Sequence, residues 1–191
     1  KVAAATLLTL AGLPFLYYGE EIGLGQSSPV SNADQSLRGP MSWSGEANAG
    51  FTSAAKPFRA NVSNWQTNNV AAQEKDPASL LNWYRGLIAL RNAEPALSQG
   101  GFTPLSERDQ PVFAFTREHE GSRLLVLINY ARQPAQHALP ASIKAGDWTV
   151  AFPQGAASPF VAAKAGTPGA RVQLGAQQYS QTFRLDGRDS A

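Results

Sequence analysis

Residues 13–18, Leu-Pro-Phe-Leu-Tyr-Tyr, form an apolar and aromatic run with no polar break, bracketed by Gly12 and Gly19 and followed at once by Glu20 and Glu21. A continuous run this short predicts a strand buried on both faces, as in a parallel sheet flanked by helices. Residues 2–10, rich in Ala and Leu and apolar nearly all round, predict a buried helix before it. Gly12 stands where a C′ residue ends such a helix, and Pro14 prevents its continuation. Helix, short loop and buried strand make half of a βαβ rhythm. Polar residues at the carboxyl end of such a strand are where α/β proteins place ligand chemistry. Glu20 and Glu21 therefore read either as part of a site or as acids that solvate the following loop.

From residue 23 to about 73 the chain is loop-like, rich in Gly, Ser, Asn and Pro. A loop that long is either disordered or functional. Trp43, Phe51, Phe58 and Trp65 are spread through it, and aromatics pin loops down, so a functional rim is expected. Asp76-Pro77 then opens a helix expected over 77–92. Asp76 can accept from first-turn amides, and Pro77 at N1 gives up no helical bond. Leu80, Leu81, Tyr84, Leu87, Ile88 and Arg91 recur at helical spacing as one largely apolar stripe, and Pro95 closes the segment.

After Gln99-Gly100-Gly101 the texture changes. Strand candidates cover 102–105, 111–117, 123–130, 135–139, 148–152, 170–174 and 182–185, separated by Gly, Pro, Asp or Ser. Phe113 and Phe115 alternate with Val112 and Ala114, which is period two, and residues 118–121 read as a hairpin connection. Short strands at this density predict an antiparallel sandwich of about a hundred residues. Residues 155–169, heavy in Ala, Gly and Pro around Phe160, are the least determined stretch.

The 16 basic and 14 acidic residues leave a formal charge of +2 with no Lys/Arg cluster, which gives no support for a nucleic-acid or acidic-membrane partner. With no cysteine, disulfides and Cys-ligated metals are excluded. No apolar run is long enough to span a bilayer. The chain opens on Lys1 inside helical sequence, without a signal peptide or initiator Met, and reads as a fragment or a processed product.

Several segments carry a resemblance together. They are residues 12–23, Arg38-Gly39-Pro40-Met41-Ser42-Trp43, Asn48-Ala49-Gly50-Phe51-Thr52, Asn69-Val70-Ala71-Ala72-Gln73, and the run from Asp76-Pro77-Ala78-Ser79-Leu80-Leu81 through Leu90-Arg91. Their order and spacing over about residues 1–97, continued less sharply over 101–129, resemble the C-terminal part of the α-amylase family, glycoside hydrolase family 13. The resemblance implies an α/β barrel fragment over 1–98, the end of a (β/α)8 barrel with its last strand at 13–18 and its closing helix at 77–92. An all-β antiparallel sandwich, domain C, would follow over 99–191. Within the family the pattern is most similar to bacterial α-amylases and their oligo-1,6-glucosidase and trehalose-synthase-like relatives. Lys56-Pro57-Phe58-Arg59-Ala60 departs from the Pro-Trp form of the glucosidases and turns the expectation toward α-amylase.

Family members cleave α-glucosidic bonds with retention, using a carboxylate nucleophile and a carboxylic acid about 5 Å apart. The resemblance places those acids on the fourth, fifth and seventh barrel strands, before this chain begins, and no Asn-His-Asp motif occurs here. No catalytic residue and no metal ligand is therefore expected in the chain, and the fragment alone is expected to be inactive. No cofactor is expected in it either, while calcium is compatible with the parent enzyme. Glu20 and Glu21 cannot straddle one bond, because adjacent residues of an extended chain point to opposite faces.

The expected substrate-binding residues are Arg38, Glu20, Tyr17 and Trp43. A guanidinium at a barrel mouth can donate to sugar hydroxyls or lock a pocket carboxylate, while Tyr17, Trp43 and Trp65 could stack on glucose rings or simply pack. His119 and His137, without partners at metal-ligand spacing, are expected on the solvated surface. Asn61-Val62-Ser63 fits a glycosylation sequon. The implied partners are an α-glucan or malto-oligosaccharide and the missing N-terminal barrel portion, in an extracellular or periplasmic bacterial setting. A transglycosylase or an oligo-1,6-glucosidase is the alternative within the family, and a non-catalytic carbohydrate-binding or packing module the alternative outside it.

Overall fold

The computed structural model describes residues 1–27, 33–161, 169–176 and 180–185. The chain separates into two compact units, Lys1–Pro14 with Gly86–Ala191, and Phe15–Arg85.

In the first unit α1 (Val2–Thr9) is the buried helix that its Ala/Leu composition calls for, with Val2, Ala4, Ala5, Leu8 and Thr9 inside. Among the described residues eight strands follow helix α5 (Pro95–Ser98). They are β1 (Gly101–Pro104), β2 (Val112–His119), β3 (Ser122–Asn129), β4 (Ala135–Ala138), β5 (Trp148–Phe152), β6 (Phe160–Val161), β7 (Arg171–Leu174) and β8 (Ser180–Leu185). They form two antiparallel sheets in the orders β1-β2-β3-β8-β5 and β4-β7-β6. The seven strand candidates all appear within one or two residues of their expected ends. The two-residue β6 was missed, because Phe160 lies in an Ala/Gly/Pro stretch with no alternation, and residues 162–168 of that stretch lie outside the described residues. The expected hairpin closes tightly, with His119 paired to Ser122 across Glu120 (φ 45°) and Gly121 (φ 83°). Two successive positive φ values match the twist of the flanking strands.

Strand β3 is where burial on both faces is found. Leu125 and Leu127 join Val112, Ala114, Val172, Leu174, Trp148 and Phe183 in the main core. Leu124, on the opposite face, packs with Leu90, Ala96 and Leu97. The continuous run from Leu124 to Ile128 is thus the two-sided strand of this chain. Residues 13–18 are not. They form no strand and pair with none among the described residues, and Leu13 and Phe15 are 85% and 86% exposed. The expectation of a buried strand there fails for a physical reason: a strand is held by its ladder partners and by layers on its faces, and here it has neither.

Helix α4 (Leu80–Ala93) begins three residues later than expected. Asp76 Oδ1 accepts from the Ala78 amide at 2.8 Å, which closes a turn. It is Ser79 whose Oγ accepts a first-turn amide, that of Asn82 at 3.1 Å. Ile88 leaves the apolar stripe for the surface. In the second unit, helices α2 (Ala33–Ser36) and α3 (Val70–Glu74) and two 3-10 turns are separated by irregular chain. Its small core is Ile22, Met41 and Leu81, with Leu24 and Val70 against them.

Candidate functional site

Amide side chains, not aromatic rings, hold the long loop of the second unit. Gln73 Nε2 donates to Ile22 O (2.8 Å) and to Asn68 Oδ1 (2.7 Å), while its Oε1 accepts from the Leu81 amide (3.0 Å). Asn64 and Asn68 both donate to Gly23 O, at 3.2 and 2.7 Å. Asn69 accepts from the Ala72 amide to cap α3 and donates to Trp65 O. By contrast Trp43, Phe51 and Phe58 are exposed, Phe58 at 99%. The rings are left free to line a surface because the backbone is satisfied by amides.

The turn after residue 18 is set by Gly19, whose φ of 87° is open to glycine and whose Cβ, if present, would lie 2.6 Å from Leu24 Cδ2. Glu20 accepts the Tyr17 amide at Oε2 (2.9 Å), so its carboxylate is used within the turn. Glu20 and Glu21 lie in a 3-10 helix, Glu20–Ile22, rather than in extended chain. Successive side chains there diverge by about 120°, so the acids still do not face one another across a bond. Burial first, and then the charges of Glu20 and Glu21, raise the Tyr84 phenol above the usual range.

Tyr18 donates to Gly39 O at 3.0 Å and its ring lies 4.8 Å from that of Tyr17. That bond ties residue 18 to Arg38-Gly39-Pro40-Met41, and a cavity of about 410 Å3 opens between Tyr18, Arg38, Pro40, Met41, Phe51, Phe58 and Arg59. Burial, and then Tyr17, raise the Tyr18 phenol, while the Arg38 and Arg59 guanidiniums pull it down. Arg38 Nη2 lies 2.8 Å from Asp34 Oδ2 at an exposed position. Phe51 follows a left-handed turn in which Asn48 (φ 53°), Ala49 (φ 58°) and Gly50 (φ 66°) all have positive φ. The Asn48 amide holds that turn by donating to Thr52 O and Ala54 O. Such backbone is costly for residues with a Cβ and clusters where a side chain must be aimed.

Of the four expected site residues, the structure puts Arg38 on the cavity wall and Tyr17 and Glu20 in the turn that presents Tyr18. Trp43 does not line the cavity; its amide donates to Ala49 O (2.9 Å), which braces the left-handed turn. Tyr18, Phe51, Phe58 and Arg59 were not singled out as ligand-facing. The departure of residues 56–60 from the glucosidase pattern was the signal available for the last two.

His119 and His137 are half-buried rather than solvated. His119 Nε2 lies 3.8 Å from the Glu120 carboxylate. His137 Nε2 is buried with no hydrogen-bond partner, and burial lowers its pKa against a main-chain hydrogen bond at Leu105 that raises it. Asn61 Oδ1 is also buried without a hydrogen-bond partner. Among the described residues no His/Cys/Asp/Glu group is placed to hold a metal ion, and no helix is long and apolar enough to cross a membrane.

The catalytic-domain model of the alpha-amylase family matches residues 1–100. The chain is 36% identical over 147 residues to the trehalose synthase of Thermus thermophilus, covering 73% of this chain and 15% of that protein. It is 38% identical over 151 residues to the alpha-amylase SusG of Bacteroides thetaiotaomicron, covering 75% of this chain and 21% of that one. It therefore spans well under a third of the length of either relative. The crystal structure of isomaltulose synthase from Klebsiella sp. LX3 superposes with a TM-score of 0.78 at 24% identity, over 97% of this chain and 37% of that one. That likeness establishes the fold class, the end of a (β/α)8 barrel followed by an antiparallel β domain. The chain belongs to the alpha-amylase family, glycoside hydrolase family 13.

Proposed function

We propose that the intact protein containing this chain transforms α-glucosidic bonds, with α-1,4-glucans or malto-oligosaccharides as substrates. This chain supplies the mouth loop around Arg38 and the β domain that follows, with the division near residue 98. The observation that carries the reading is the catalytic-domain match over residues 1–100 together with Arg38 on the wall of a cavity of about 410 Å3. In this reading Arg38 donates to sugar hydroxyls, while the nucleophile and the general acid lie in parts of the protein outside this chain. Calcium binding by those parts and an extracellular or periplasmic location belong to the same proposal.

Transfer to a sugar acceptor in place of water is the second reading, favoured by the resemblance to a trehalose synthase at 36% identity. Incubating the intact protein with starch, maltose and trehalose and resolving the products separates the two. Shorter malto-oligosaccharides and glucose mean hydrolysis; interconversion of maltose and trehalose means transfer. No change in any of the three sugars would favour a non-catalytic module. The 191-residue chain alone is expected to leave all three untouched.

A further inference from the structure

Two guanidiniums, those of Arg38 and Arg59, line a single cavity of about 410 Å3, and among the described residues no carboxylate lines it. Arg38 is already paired with Asp34 at 2.8 Å. Arg59 has no acidic partner within ion-pair distance among the described residues. Its hydrogen bond is a long one, Nη1 to Gln35 Oε1 at 3.4 Å, and its guanidinium carbon lies 5.8 Å from the centre of the Phe58 ring. A guanidinium carries five N–H donors in a planar fork that matches two oxygens of a carboxylate or a phosphate. Among the described residues most of the donors of Arg59 are thus unspent. Among the described residues no carboxylate compensates its charge, and it lies in a half-buried place; a charge-assisted bond is about twice as strong as a neutral one. A neutral sugar hydroxyl would use one or two of those donors and would leave the charge as it was. An anion uses the fork and cancels the charge.

We propose that Arg59 makes this cavity an anion-reading subsite, which takes an α-glucoside bearing a phosphate or carboxylate group on the sugar seated beside Arg38. The proposal rests on the reading of the intact protein as an α-glucoside-transforming enzyme. Phe58, 99% exposed beside the guanidinium, gives that sugar an apolar face to lie on. Arg59 acts here as a specificity-determining residue, since the charged group it reads is not one of the atoms of the bond that breaks.

The test uses the intact protein as wild type, Arg59→Leu and Arg59→Lys, with 4-nitrophenyl α-glucoside, its 6-phosphate and 4-nitrophenyl α-glucuronide as substrates. The wild type is expected to show a kcat/KM for an anionic substrate at least about tenfold above that for the neutral one at low salt. Arg59→Leu lowers the anionic-to-neutral ratio by about tenfold, and Arg59→Lys lowers it less, because a lysine keeps the charge without the fork. High salt narrows the ratio in the wild type. A gain with the phosphate alone identifies a sugar phosphate, and a gain with both anions identifies any anionic glucoside. Preference of the wild type for the neutral substrate, or an unchanged ratio in Arg59→Leu, overturns the proposal and leaves the α-glucoside reading standing. Turnover of none of the three substrates overturns both.

Discussion

Arg91 and Arg117 close the same end of one helix. Arg117 Nη1 donates to Thr9 O at 2.8 Å across 108 residues of sequence, and Arg91 donates to Leu8 O (2.8 Å), Leu10 O (3.2 Å) and Gly12 O (2.6 Å). Arg117 also reaches Gly100 O (2.9 Å) and, through Nε, Gly101 O (3.2 Å). Both guanidiniums are buried, and burial lowers both pKa values, that of Arg117 further through its neighbour Arg91. The last carbonyls of a helix have no partner within it and carry the negative end of its dipole. Two forks of N–H donors supply the partners and the positive charge together. This fixes α1 to the Arg91 end of α4 and to β2 within the first unit.

Arg117→Met removes donors from three carbonyls in a buried place. It is expected to lower unfolding free energy by about 2–4 kcal/mol, since a hydrogen bond to a charged group contributes about 1.5–3 kcal/mol and orphaned carbonyls add to the loss. Arg117→Lys is expected to recover little of this, because one ammonium cannot span Thr9, Gly100 and Gly101. Chemical denaturation followed at the β-domain tryptophan, Trp148, checks both.

Gln73→Leu should loosen the second unit rather than the first. It leaves the Leu81 amide and Ile22 O without the partners they now have, at an expected cost of about 2 kcal/mol. Hydrogen exchange read at the Leu81 amide should speed up accordingly, while exchange at Leu125 and Leu127 of β3 stays unchanged. Equal acceleration in both places would mean that the amide network is not local to its unit.

His137 gives a pH dependence of definite sign. Its folded pKa is below its unfolded value, so between the two the unfolded chain binds more protons. Stability is then full above the unfolded pKa of about 6.5 and falls as pH falls through the folded value. His137→Gln should flatten this acid limb in thermal melts. A limb equally steep in the variant would assign the loss to other groups.

The left-handed turn at Ala49 sets two effects against each other. Ala49→Gly relieves about 1–2 kcal/mol of left-handed strain and loses about 0.8 kcal/mol of buried methyl, so the expected net change is about 1 kcal/mol or less. Ala49→Val adds a β-branched side chain at positive φ in a fully buried site and is expected to cost more than about 2 kcal/mol. Melting both variants checks the order.

What could be read from the chain alone divides along physical lines. Strand β3 and its hairpin were legible because alternation, apolar runs and a two-residue turn are local signals. The same local rule went wrong at residues 13–18, since burial depends on what covers a strand and the run itself does not encode its partners. Arg91 was placed in an apolar stripe by its spacing. Its role became visible only with α1 beside it, and Arg117 offered no local signal at all. At the candidate site Arg38 and its loop were legible as a motif. The cavity was not, because it depends on the Tyr18–Gly39 bond and on a strained turn that aims Phe51.

The most direct measurement is kcat/KM of the intact protein for an α-glucosidic substrate in the wild type and in Arg38→Leu. If Arg38 donates to bound sugar, kcat/KM falls about 10- to 100-fold, the worth of a charge-assisted hydrogen bond. The thermal midpoint should move little, because the exposed pair with Asp34 contributes about 1 kcal/mol at most. A kcat/KM that stays at the wild-type value in a folded Arg38→Leu protein would contradict the placement of substrate in the Tyr18–Arg38 cavity.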